Sequence, residues 1–104
     1  MKYSISSQSF NSVFKSSVVL KTSHITYRFL ETDQKGLSGL GFIVNKRLGP
    51  AVERNKFKRI LRGLYCRAFL ENNIKIGVII SPKTIKLKKA EIIKSFELLT
   101  KRIR

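Results

Sequence analysis

The chain has 104 residues, enough for a single domain (residues 1–104) with one modest core, and its 42% hydrophobic and 27% charged residues exclude a disordered or membrane-spanning class. Lysine and arginine total 22 against 6 acids, a formal charge of +16 that calls for a polyanionic partner, because phosphate backbones reward each cation that displaces a condensed counterion. The lone Cys66 excludes an intramolecular disulfide, the lone His24 leaves no metal-ligand cluster, and "MKYSISSQSF" has no apolar core behind it, so a cytoplasmic protein without a membrane association is expected.

In chain order, residues 7–15 place Phe10, Val13 and Phe14 at i, i+3 and i+4, which predicts a short helix with serines ahead of it to cap the first turn. Phe10 and Phe14 read first as core residues of that helix and second as ring faces for an unpaired base. "SVVL" (17–20) predicts a short edge strand. "HITYRFLE" (24–31) alternates Ile25, Tyr27 and Phe29 against Thr26, Arg28 and Leu30, the two-residue period of a strand with unlike faces. Arg28 thus faces either solvent or a nucleic acid. A polar, glycine-containing loop (31–39) leads to "LGFIVNKR" (40–47), a second long strand, and the two strands together suggest an antiparallel hairpin.

"LGP" (48–50) ends that strand and sets Pro50 at the first helical position, where its missing amide costs little. A central helix is predicted from there to about Leu70. After "ENN", the stretch "IKIGVIISP" (74–82) predicts a third long strand closed by Pro82, and Ile92, Phe96, Leu99 and Ile103 repeat at the spacing of a last amphipathic helix. There is no internal repeat, and the one biased segment is the lysine-rich "KTIKLKK" (83–89).

The central helix carries "RNKFKRILR" (54–62), five basic side chains in nine residues. At about 100° per residue, Phe57, Ile60, Leu61, Leu64 and Ala68 fall on one arc, and Arg54, Asn55, Lys58, Arg59 and Arg62 fall on another. Lys56 and Arg67 lie on a third flank. Solvation is the ordinary explanation for an exposed cation, but Glu53 is the only acid from residue 34 to residue 70, so this ridge lacks i,i+4 neutralisation and its counter-charge has to come from outside. Asn55 adds a group that can donate and accept toward a sugar, phosphate or base edge. The six carboxylates show no spacing suited to paired acid/base or metal work, which argues against protein-borne catalysis.

"GFIVNKRLGPAVERNKFKRILRGLYCRAFL" (41–70) resembles the protein component of bacterial ribonuclease P, in which a strand ending in paired basic residues is followed by a glycine turn, "AV" and "RNxxKRxxR". "FNSVF" is similar to that family's N-terminal helix and "VIISPK" to its last strand. The resemblance implies an α/β fold: a small α-β sandwich in helix-strand-strand-strand-helix-strand-helix order, with a left-handed βαβ crossover, like the second domain of ribosomal protein S5. It also implies that a catalytic RNA subunit, using Mg²⁺ held mainly by RNA, removes the 5′ leader of precursor tRNA, and that the protein is monomeric when free. By the same resemblance, Lys46, Arg47, Arg54, Asn55, Lys58, Arg59 and Arg62 contact the ribonuclease P RNA, and Phe10, Phe14, Arg28, Ile43 and Asn45 line a cleft for the leader. Arg28 stands where members often carry an aromatic ring, Ile43 where small polar residues are frequent, and Ser17 where glycine is common, which implies a more ionic and less stacked leader contact.

Two other classes fit a basic domain of this size. A structural RNA-binding protein, such as a small ribosomal component, would use the same charge without a cleft. A DNA-binding regulator would need a helix-turn-helix partner for the central helix, and the strand directly before that helix argues against one.

Overall fold

The computed structural model describes residues 7–31 and 38–103, which run α1 (Ser7–Ser16), β1 (Val18–Lys21), β2 (Ile25–Glu31), β3 (Gly39–Phe42), α2 (Ala51–Tyr65), β4 (Ile76–Pro82) and α3 (Lys89–Ile103). This is the element order expected from the sequence. A single 3₁₀ turn (Lys46–Leu48) precedes α2, and a π-helical turn (Cys66–Leu70) extends it. The serines expected to cap α1 and most of the 31–39 loop lie outside the residues whose placement is described.

The strands form one sheet in the order β1-β2-β4-β3, with β1–β2 and β2–β4 antiparallel and β3–β4 parallel. The antiparallel hairpin expected between residues 24–31 and 40–47 therefore does not form: β4 lies between those segments. Its residues Ile76, Val78, Ile79 and Ile80 are all fully buried, so β4 needs cover on both faces and neighbours on both edges, which only a central position supplies. β3 is also shorter than the 40–47 strand expected. The Ile43 amide still donates to the Ile80 carbonyl at 2.9 Å, but the next donor in a parallel ladder would be Pro82, which has no N–H.

The two sheet faces are filled differently. On one, Ile25, Tyr27 and Phe29 of β2, Leu40 of β3 and Val78 and Ile80 of β4 meet α2 and α3 in the main core. On the other, α1 packs over β2 and β4 and buries Val13, with Ile79 buried on the same side.

Helix α2 enters the core through Phe57, Leu61 and Tyr65, and the π turn adds Phe69, a row spaced by four residues. A row of that period drifts by about 40° per step around an ideal helix of 3.6 residues per turn. For that reason the helical wheel omits Tyr65 and Phe69 from the apolar arc, although both are buried. The wider π turn, with the Glu71 amide donating five residues back to the Cys66 carbonyl at 2.9 Å, counters the drift and keeps Phe69 over the sheet. Phe69 packs against Tyr65 at 5.5 Å and Phe96 at 5.8 Å between ring centroids, and Phe96 meets Tyr27 edge-on at 6.1 Å, so α2, α3 and β2 share one aromatic cluster.

Two hydroxyls lock this cluster. Tyr65 donates to the Ile76 carbonyl at 2.9 Å, and Tyr27 is hydrogen-bonded to Ser95 at 2.9 Å, which in turn bonds Thr22 at 2.8 Å. Burial of the rings pushes both phenols up to about 12.

Leu61→Ala removes a fully buried side chain from the centre of the α2 row and should cost roughly 2–5 kcal/mol in urea unfolding. The raised phenol pKa values mean that the native state holds protons the unfolded chain has released, so stability present below pH 10 is lost as pH rises toward about 12. The urea midpoint of wild type relative to Tyr27→Phe should be constant below pH 10 and then fall between pH 10 and about 12.

Candidate nucleic-acid interface

The basic region begins where β3 ends. The Asn45 side-chain carbonyl accepts the Arg47 amide at 2.9 Å and opens the 3₁₀ turn, which leaves Lys46 and Arg47 exposed. Gly49 then brings the chain close under its neighbours: a Cβ there would stand 3.0 Å from both Ile85 Cδ1 and Glu53 Oε2. Pro50 is the N-cap of α2, one position ahead of where the sequence set it, and its carbonyl accepts the Arg54 amide at 3.0 Å.

On α2, Arg54, Lys58 and Arg62 form one row at i, i+4 and i+8, and Asn55 and Arg59 stand beside it, both exposed. Arg54 is tied back to the turn, its Nε donating to the Gly49 carbonyl at 3.1 Å. The Arg62 guanidinium lies 5.8 Å from the centre of the Phe42 ring. Among the described residues no charged side chain is buried, and Lys46, Arg47 and the five α2 residues all keep part of their surface in solvent. Phe42 was not singled out from the sequence. Its position next to Ile43 on an apolar strand gave no sign that a ring would end up beside Arg62.

On the opposite sheet face, the rings of Phe10 and Phe14 stack with centroids 6.5 Å apart at 17°, and the Arg28 guanidinium sits 4.3 Å over the Phe14 ring. The expectation that both phenylalanines are core residues is corrected: Val13 takes the buried place, while Phe14 is 37% exposed and Phe10 is partly so. The Ser17 hydroxyl donates to the Phe14 carbonyl at 3.1 Å and closes the helix there. Arg28, Ile79 and Gly41 are register partners across β2, β4 and β3, so Gly41 leaves this face without a side chain at the β3 position. Ile43 is 41% exposed just beyond it, and Asn45 is exposed with its carbonyl oxygen already engaged. The structure thus gathers Phe10, Phe14 and Arg28 tightly and sets Ile43 across β4 from Arg28, whereas Asn45 lies past the end of β3 with its side chain turned to the Arg47 amide.

Among the described residues no group of three or more His, Cys, Asp or Glu side chains could hold a metal ion. Among them, too, no helix is long and apolar enough to cross a membrane.

Comparison with known proteins identifies the family. A sequence model of the Ribonuclease P family matches residues 5–104. The ribonuclease P protein component of Dictyoglomus turgidum is 44% identical over 45 residues, which span 41% of this chain and 38% of that relative's length. The solved ribonuclease P protein of Staphylococcus aureus superposes with a TM-score of 0.75 at 23% identity, covering 98% of this chain and 95% of that one. The protein from Thermotoga maritima gives a TM-score of 0.72 at 21% identity over 91% of each chain. With the family model spanning nearly the whole sequence and the fold shared, this chain belongs to the ribonuclease P protein family.

Proposed function

We propose that this chain is the protein subunit of a bacterial ribonuclease P, that it binds the catalytic RNA subunit through α2 and the turn before it, and that it guides the 5′ leader of precursor tRNA through the cleft beside α1. The observation that carries the reading is the ridge on α2, with Arg54, Lys58 and Arg62 half-exposed and Asn55 and Arg59 exposed on the side away from Phe57 and Leu61, preceded by exposed Lys46 and Arg47 in the turn. Such a surface meets phosphates without reading sequence.

The cleft suits a single strand. Phe14 offers a ring that is 37% exposed, Arg28 places a cation over it, and neither makes the base-edge contacts that would restrict sequence. One enzyme acting on many precursors is served by that tolerance. The RNA supplies the hydrolysis of the phosphodiester and holds the Mg²⁺ used there. The chain's own residues hold substrate and catalyst together, and a charge of +16 lowers the repulsion between two polyanions. Cytoplasmic action as a monomeric free protein completes the reading.

Added to bacterial ribonuclease P RNA at low magnesium, the purified chain should stimulate 5′ leader removal. Absence of stimulation together with intact RNA binding would favour a structural RNA-binding role instead. Arg59→Ala and Arg62→Ala should each weaken binding to the RNA and reduce the slope of log K against log salt by about 0.7–0.9, with folding unchanged; binding unaffected in both would remove the ridge from the interface. Phe14→Ala should weaken precursor binding only when a leader is present, by roughly 1–3 kcal/mol if a base stacks there, and should leave mature tRNA binding as it was.

A further inference from the structure

Between α2, the 83–88 segment and the start of α3 lies a groove of about 650 Å³. Lys56 and Arg59 line it from the α2 side, and Lys86, Lys88 and Lys89 from the other. Glu53 is the one acid in its lining. The floor is apolar: Phe57, Ile85 and Ile92 are buried, and Ile60 and Leu87 are partly exposed between the cations. This is where the structure puts the lysine-rich "KTIKLKK" stretch and the third flank of α2, which neither the ridge nor the cleft uses.

The lysine-bearing segment is held in place. The Lys83 amide donates to the His24 carbonyl at 2.7 Å, the Lys86 amide to Thr84 Oγ1 at 3.1 Å and the Lys88 amide to Glu91 Oε1 at 3.1 Å, while Ile85 is buried under the turn at Gly49. The Glu91 carboxylate therefore caps α3 from within the chain, and any attraction for an anion comes from the lysine side chains. Two cationic walls facing each other across an open groove repel, and an occupant with negative charge at its edges and an apolar body relieves that repulsion. A nucleotide has that shape: a base able to cover Ile60 and Leu87, with phosphates on either side within reach of the lysines.

We propose that this groove is a second RNA contact, in which an unpaired nucleotide of the ribonuclease P RNA lies over Ile60 and Leu87 with its flanking phosphates on Lys56, Lys86 and Lys88. Arg59 belongs to both surfaces, so the RNA contact wraps over the crest of α2 into the groove. The proposal rests on the reading that α2 docks onto that RNA, and it goes further by placing contacts on α3 and the segment before it.

The test uses the full chain and bacterial ribonuclease P RNA. In Lys86→Ala/Lys88→Ala the salt slope of binding should fall by about 1.4, two single-strand phosphate contacts, whereas Lys94→Ala/Lys101→Ala should leave it unchanged. Leu87→Ser should lower affinity several-fold with the slope intact, which loss of charge contacts alone would not produce. In wild type with labelled methyl groups, Ile60, Ile85 and Leu87 should shift on RNA binding through the ring current of the base, a readout independent of any variant's folding. Bound RNA with those methyls unmoved would overturn the groove contact while the ridge reading stands. A wild-type chain that does not bind the RNA would overturn both. Equal methyl shifts from uridine monophosphate alone would assign the groove to a free nucleotide and overturn the proposal.

Discussion

Burial of the row Phe57, Leu61, Tyr65 and Phe69 against the sheet is the interaction on which the rest of the molecule depends. It holds in place a helix whose outer surface carries far more positive than negative charge. Each large apolar side chain taken fully out of water contributes roughly 1.5–3 kcal/mol. Like charges at i,i+4 on an exposed helix cost only a few tenths of a kcal/mol per pair. Burial therefore wins by a wide margin, and the cations can be concentrated on α2 without melting it. The hydroxyl of Tyr65 on the Ile76 carbonyl and the Tyr27–Ser95–Thr22 chain then fix α2 and α3 to opposite ends of the same sheet.

The position of β4 gives the protein two unlike faces. A strand buried from Ile76 to Ile80 has to be central, which drives β3 to one edge and β1 to the other. Two helices cover most of one face, leaving Val18 of the edge strand exposed. The single short α1 covers only part of the other, leaving Phe14, Arg28 and Ile43 half open around the bare backbone of Gly41. The open part of the α1 face is thus a consequence of having fewer helices than the sheet has room for, and the ridge a consequence of the helix that covers the other face.

The positive surfaces share a helix but differ in character. The ridge of Arg54, Lys58 and Arg62 is convex, standing half-exposed on the outer side of α2. The groove holding Lys56 and Lys86 is concave, with apolar atoms at its base. An RNA that binds the folded chain and not the unfolded one supplies the missing counter-charge and adds to stability by mass action, so a protein that repels itself when free becomes more stable in its complex.

The order of helices and strands, the two-faced α2 and the identity of its cations were all legible from periodicity and charge, because each is a property of residues close in sequence. Strand partners were not. The hairpin reading failed because adjacency in the sheet is set by which strand most needs cover on both faces, a comparison between segments that sequence order conceals. Tyr65 and Phe69 were missed because a row spaced by four residues drifts out of the apolar arc of a 3.6-residue wheel, and only the π turn after Tyr65 keeps Phe69 over the sheet against Phe96. The stacking of Phe10 on Phe14 under Arg28, and the meeting of "KTIKLKK" with Lys56, likewise depend on contacts between distant segments. The sequence by itself determined what each segment carries, apolar stripe or cation, through local spacing; only the tertiary structure decided which of those stripes and cations face one another, since that follows from how the core closes.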